Sequence, residues 1–335
     1  MTIVDIARLA GVSTSTVSHV LNATRPVRDE TRQRVEEAIR DTGYRRDSVA
    51  RALRRSRTDS VGLILSDVTQ PAFAEMIRGV EEEAAAAGLT LLLANSGEDP
   101  ELETRALQVL AERKVDGLII APVARSRRAG LTALQQEGTP LVLLDRLGGI
   151  SADQVGVENL TPMRDLVLHL VGHGHRRIAL AAGDVAVSTV AERRQGYMDA
   201  LAEAGLPVDP DLVLTGSGLA AETRGLALEL FGRTEPPTAV VAVSTQAAIG
   251  VLEAAHRLGL QTPRDFAFAT FDGFPNPDLF RPRITTVSQP AYEIGSTAMQ
   301  LLLGRIEAGP AAGYRSIRLG PEITYRESCG CQDAP

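Results

Sequence analysis

The sequence predicts a small all-α amino-terminal unit followed by an α/β body of two doubly wound lobes. Three observations carry that expectation. Apolar residues in the first 45 positions recur at helical spacings, with turn signals close between them. From residue 60 short apolar runs alternate with helix-length segments, the pattern of parallel strands covered on both faces by helices. The alternation comes as two successive series, hence two lobes. At 335 residues and 44% hydrophobic, the chain is long enough for two or three compact units.

In the first unit, Thr2-Ile3-Val4-Asp5 has the form of a capping box opening a helix through about Ala10. Gly11-Val12 allows a tight turn, and Ser13 is placed to cap a second helix through about Leu21. A third helix is expected from about Asp29 to Asp41, stopping at Gly43. Ile6, Leu9, Val12, Val17, Val20, Val35 and Ile39 would form its core. In the body, strands are expected at Val61–Ser66, Thr90–Ala94, Gly117–Ala121 and Pro140–Leu144. A second series follows at Arg177–Ala182, Val213–Thr215, Thr238–Val243 and Phe266–Phe271. Phe73–Ala87, Glu101–Lys114, Ala191–Ala204 and Gln246–Leu258 read as helices between them. Ligands of such sheets bind at the carboxyl ends of the strands.

Charge separates the two parts. The chain carries −7 overall, but residues 1–58 hold 12 Arg against 7 acidic residues, a net of +5, leaving −12 on the rest. A basic head on an acidic body suits a partner rich in phosphate. Within that head, residues 3–22 (IVDIARLAGVSTSTVSHVLN) fit a helix-turn-helix, with Gly at the turn and a polar face of Thr14, Ser15, Thr16 and His19. Short hydrogen-bonding side chains at the start of a recognition helix reach base edges in the major groove.

This segment, continued through NATRPVRDETRQRVEEAIRDTGYRRDSVARALR, resembles the head of the LacI/GalR (lactose/galactose repressor) family of transcription regulators. Its STSTVSHVLNATR stretch is most similar to the purine repressor type. FAEMIRGVEEEA, VDGLII, LVLLDR, GHGHRRIAL, ERRQGYMDAL, PTAVVAV, FATFDG and ITTVSQP resemble landmarks along the rest of the family. The resemblance implies that Thr14, Ser15, Thr16 and His19 contact bases, while Asn22 and Tyr44 touch the DNA backbone. Residues 48–55 resemble the family's hinge helix. There Leu53 would wedge into a minor-groove step, with Val49 and Ala50 beside it on an apolar stripe and Arg51, Arg54 and Arg55 near phosphates.

The body then resembles a periplasmic sugar-binding protein closing on a polar small molecule. Resemblance places Phe73, Asp145, Thr189, Arg193, Ser244 and Asp272 in its cleft. Arg193 would offer a rigid fork of donors and Asp272 an acceptor. Ser244-Thr245 stands where many relatives have Asn-Asp, and no aromatic occurs around Gly218–Ala221, so the effector's identity is open between sugar-like and nucleobase-like. The expected division is 1–46 for the helix-turn-helix domain, 47–59 for hinge and linker, 60–158 with 288–319 for the first lobe, 159–287 with 320–328 for the second, and 329–335 as tail.

The implied function is a regulator, by default a repressor. It would bind double-stranded, pseudo-palindromic operator DNA as a homodimer under control of a small-molecule effector. A solute-binding receptor and a nucleotide-dependent enzyme share the body's fold class. The first lacks the leader it would need and the second a phosphate loop, since Gly216-Ser217-Gly218 falls inside the second lobe without a ribose-binding acid. No catalytic residue, cofactor or metal is expected, nor a membrane contact. Cytoplasmic, nucleoid-associated localisation follows. The only cysteines, Cys329 and Cys331, read as reduced thiols on a frayed tail, and His173-Gly174-His175 as a helix end with no third ligand near.

Overall fold

The computed structural model describes residues 1–22, 25–44, 57–309 and 313–331. The expected hinge residues Arg51, Leu53 and Arg54, with the whole 48–55 segment, lie outside them. Two compact units, Met1–Thr58 and Asp59–Pro335, make up the chain.

In the first unit, α1 (Ile3–Ala10), α2 (Thr14–Asn22) and α3 (Asp29–Thr42) pack on Ile6, Ala7, Ala10, Val17 and Val35. The capping box forms: Thr2 Oγ1 accepts from the Asp5 amide and Asp5 Oδ2 from the Thr2 amide. Gly11 (φ 64°) takes the left-handed conformation that reverses the chain, and Val12 N–H reaches back to the Ala7 carbonyl. Ser13 Oγ accepts from the Thr16 amide, capping α2 at 3.1 Å. One expected core residue fails: Leu9 is 60% exposed. The inward stripe of α1 is Ile3, Ile6, Ala7 and Ala10, and Leu9 falls outside it.

In the second unit a six-stranded sheet runs β11 (Ser316–Leu319), β5 (Asp153–Val157), β4 (Leu141–Leu144), β3 (Gly117–Ile120), β1 (Ser60–Leu65), β2 (Thr90–Asn95), parallel throughout. A second runs β12 (Glu322–Thr324), β10 (Thr285–Ser288), β9 (Ala267–Phe271), β8 (Ala239–Ala242), β6 (Ile178–Gly183), β7 (Val213–Thr215). It is parallel except that β12 is antiparallel to β10. Helices α4 (Pro71–Ala86), α5 (Pro100–Glu112) and α6 (Arg128–Gln136) belong to the first series. Helices α7 (Leu160–Gly172), α8 (Ser188–Glu203), α9 (Ala220–Phe231) and α10 (Thr245–Leu258) belong to the second. The chain passes between sheets three times: after β5, after β10 and after β11. After the second passage α11 (Ala291–Ala308) returns to pack on α4 and against β3, β4 and β5.

Two expectations about burial need correction. β2 is an edge strand and leaves Leu93 48% exposed, so not every apolar run is covered on both faces. The carboxyl end is no frayed tail through Cys331. Past β12 a short 3-10 turn (Glu327–Cys329) folds back, with Ser328 Oγ donating to the Phe268 carbonyl at 2.7 Å and Cys329 fully buried. Nor is the His173 end of α7 solitary. Spacing i, i+4 puts His169 and His173 on one helix face, and the antiparallel return through β12 carries both cysteines to them. His175 lies apart, its Nδ1 3.0 Å from Thr238 Oγ1.

Candidate functional site

The carboxyl ends of the two sheets meet at a cavity of about 380 Å³. At matching places in the two sheets, the residue following a strand is an aspartate in a left-handed backbone conformation. Asp145 follows β4 (φ 62°) and Asp272 follows β9 (φ 61°). Each donates its amide to the neighbouring strand, Asp145 to the Val155 carbonyl at 2.8 Å and Asp272 to that of Val287 at 2.9 Å. Positive φ is uncommon for a residue with a Cβ and costs conformational energy, so two matched cases at strand ends mark a site.

Arg193, on the second turn of α8, is buried and reaches across the carboxyl ends of the second sheet. Its Nε donates to Asn159 Oδ1 at 2.8 Å, and Nη1 donates to the Val243 carbonyl at 2.6 Å and to Asp272 Oδ2 at 3.1 Å. The guanidinium lies 3.6 Å above the Phe271 ring centroid. Every one of these contacts holds the guanidinium plane, so it faces the cavity in one orientation. Asn159 also donates to Glu192 (2.8 Å), which receives Arg318 of β11, tying α8 to a strand of the first sheet.

Helix amino termini aim at the same space. Phe73 and Thr189 stand in the first turns of α4 and α8, and Ser244 caps α10, its Oγ accepting from the Ala247 amide at 3.2 Å. Unpaired N–H groups there favour electron-rich ligand atoms. Burial raises the Asp145 carboxyl to about 6, with Asp272 and Glu192 adding to the rise while Arg146 and Arg193 oppose it.

All six residues carried over from the sequence (Phe73, Asp145, Thr189, Arg193, Ser244, Asp272) line this cavity. Sequence reasoning passed over several others. Arg146 pairs with Glu98 through both terminal nitrogens, while its buried Nε has no hydrogen-bond partner. Gln289 Nε2 donates to Asp272 Oδ1, and Gln289 Oε1 has no partner. Both sat within recognised stretches, LVLLDR and ITTVSQP, without being assigned a role. At the cavity rim Arg125 of the first lobe stands 3.6 Å from Asp184 of the second, a cross-lobe ion pair with no sequence signal.

In the head, Thr14 and Ser15 are exposed at the start of α2, whereas Thr16 is half-buried with its hydroxyl 2.8 Å from Ser13 Oγ. His19 is half-buried one turn on. Tyr44 packs partly against the head's core. Asn22 ends α2, and its side chain is outside the described part.

Residues 2–47 match the family described as "Bacterial regulatory proteins, lacI family", and residues 58–320 match "Periplasmic binding proteins and sugar binding domain of LacI family". The chain belongs to the LacI family. As a LacI-family member it is a DNA-binding regulatory protein, with a helix-turn-helix head and a periplasmic-binding-protein-like body. It is 33% identical to the HTH-type transcriptional repressor PurR of Mannheimia succiniciproducens, over 98% of each chain. It is similar to the transcriptional regulator CelR in complex with cellobiose, at 29% identity and TM-score 0.73, over 98% of this chain and 99% of that one. It shares its fold with the Lac repressor dimer bound to operator and the anti-inducer ONPF, at TM-score 0.85 and 24% identity over 98% and 99% of the chains. Among the described residues no helix is long and apolar enough to cross a membrane.

Proposed function

We propose that this LacI-family regulator is a cytoplasmic repressor, not an enzyme, and that a polyhydroxylated, sugar-like effector in the cleft controls it. It would bind a pseudo-palindromic operator as a homodimer, Thr14, Ser15, Thr16 and His19 reading bases while Asn22 and Tyr44 contact the backbone. The relatives named as repressors support the direction of control. The observation that carries the effector reading is the buried Arg193–Asp272 pair facing Asp145 across one cavity. A guanidinium only donates and an ionised carboxylate only accepts, and adjacent hydroxyls do both. Phe73 is the only aromatic among the described lining residues, so a planar base would have a single ring to stack on. The cavity volume lies within the range of about 300–1,000 Å³ usual for small-molecule sites.

Effector binding would change how the first lobes of a dimer meet, and so whether the 48–55 segments pair on the operator. Eight residues hold no stable helix alone. The test is an electrophoretic shift on genomic fragments at two salt concentrations, with a panel of sugars and nucleobases. Specific shifts weakened by salt are expected, and response to a sugar. Arg193→Met should retain the shift and lose the response. Selective response to a nucleobase would overturn the sugar assignment, and a truncation of residues 1–58 that kept operator selection would overturn the whole reading.

A further inference from the structure

We propose that His169, His173, Cys329 and Cys331 form a tetrahedral zinc site that ties the carboxyl-terminal turn to the end of α7. Three potential ligand atoms, from His169, His173 and Cys331, converge there, and Cys329 Sγ adjoins two of them. His169 Nε2 lies 3.3 Å from each of the two sulfurs, Cys331 Sγ lies 3.5 Å from His173 Nε2, and the two sulfurs are 3.1 Å apart as free thiols. His169, His173 and Cys331 alone already bring three donors within 4.8 Å of one another. With Zn–S of about 2.3 Å and Zn–N of about 2.0 Å, a tetrahedron has edges on the order of 3.3–3.8 Å; the three sulfur–nitrogen separations fall in that range, and the two sulfurs, 3.1 Å apart, would have to part by roughly half an ångström on binding.

The surroundings prepare the imidazoles as ligands. His173 Nδ1 lies 2.9 Å from the His169 carbonyl, an acceptor, so Nδ1 carries the proton and Nε2 presents its lone pair toward Cys331. The His169 ring stacks on Tyr325, centroids 3.9 Å apart, which sets its rotation. Cys329 is fully buried while Cys331 and His173 reach the surface, so an ion could enter without unfolding the lobe. Two thiolates with two imidazoles select zinc over hard cations, which prefer oxygen donors, and two thiolate charges neutralise the ion. Binding releases the two thiol protons to solvent. The site is separate from the cleft: α7 leads into the amino end of β6, whereas the cavity is at the strands' carboxyl ends.

The test uses the full-length chain, reduced, stripped with chelator and titrated with cobalt(II). Saturation at one ion per chain is expected, with tetrahedral visible bands and near-ultraviolet thiolate-to-cobalt charge transfer, both bleached by zinc. Zinc content after gel filtration should be one per chain, and chelation should lower the melting temperature. Cys331→Ser, at a half-buried position, and His173→Gln, at the surface, should lose the charge-transfer band or stoichiometric zinc while keeping the far-ultraviolet circular dichroism of the parent. Octahedral cobalt spectra, the same stoichiometry in Cys331→Ser, or a reduced chain that retains no zinc would overturn the proposal.

Discussion

Asp145 is held buried at the end of β4, and its carboxyl is raised to about 6 chiefly by burial. Its ordinary value is 3.8. Between these two values the folded chain keeps the proton that the unfolded chain releases, so this group's contribution to stability falls as pH rises through that window. Asp145→Asn takes up no proton. The difference in unfolding free energy between variant and parent should therefore move in the variant's favour from pH 4 to pH 6, by on the order of 2–3 kcal/mol, as read by urea denaturation at several pH values. A pH-independent difference would show that the carboxyl is not desolvated. Asp145 and Asp272 were legible from LVLLDR and FATFDG as chemistry, yet their positive φ and matched positions were not. Backbone strain at a non-glycine residue leaves no mark in residue type.

Helix packing in the first lobe depends on two glycines facing each other. A Cβ on Gly79 of α4 would lie 2.3 Å from the Tyr292 carbonyl oxygen, and one on Gly295 of α11 would lie 2.1 Å from that of Met76. The obstacles are backbone atoms, which move only if a helix moves. Gly295→Ala should lower stability by about 1–3 kcal/mol despite alanine's better helix propensity, measured as a drop in denaturation midpoint. Unchanged stability would mean that the helices separate freely. At this scale apolar runs marked β1, β2, β3, β4, β6, β7, β8 and β9, caps marked the starts of the first two head helices, and Gly43 marked the end of the third. β5, with Asp153 and Gln154 at its start, and the short β10, β11 and β12 went unmarked. Their pairing comes from partners that arrive over long sequence separations, as Ser316 meets Gln154.

Across the whole body, only three passages of the chain join the two sheets, so side-chain contacts that span the lobes add to what holds them at this spacing. Arg125–Asp184 spans the rim at 3.6 Å, with Arg125 largely exposed. Arg318 of β11 meets Glu192 of α8 at 2.6 Å near the crossovers. An exposed pair is worth at most about 1 kcal/mol. Arg125→Ala should accordingly weaken effector binding by no more than about fivefold, and salt should shrink the difference, as isothermal titration in low and high salt would show. A loss far beyond fivefold would make Arg125 a ligand contact instead of a latch.

From the sequence came the basic head, the capping box and the two runs of strand and helix, and, through family resemblance, six residues of the cleft. These depend on local spacing, cap chemistry and recognisable stretches of chain. The tertiary structure decided which aspartates face each other, that Arg146 and Gln289 join them, and that two histidines near residue 170 meet two cysteines near residue 330. Such meetings join residues as much as 162 positions apart. Only the return of the chain through β12, hydrogen-bonded antiparallel to β10, brings them within reach.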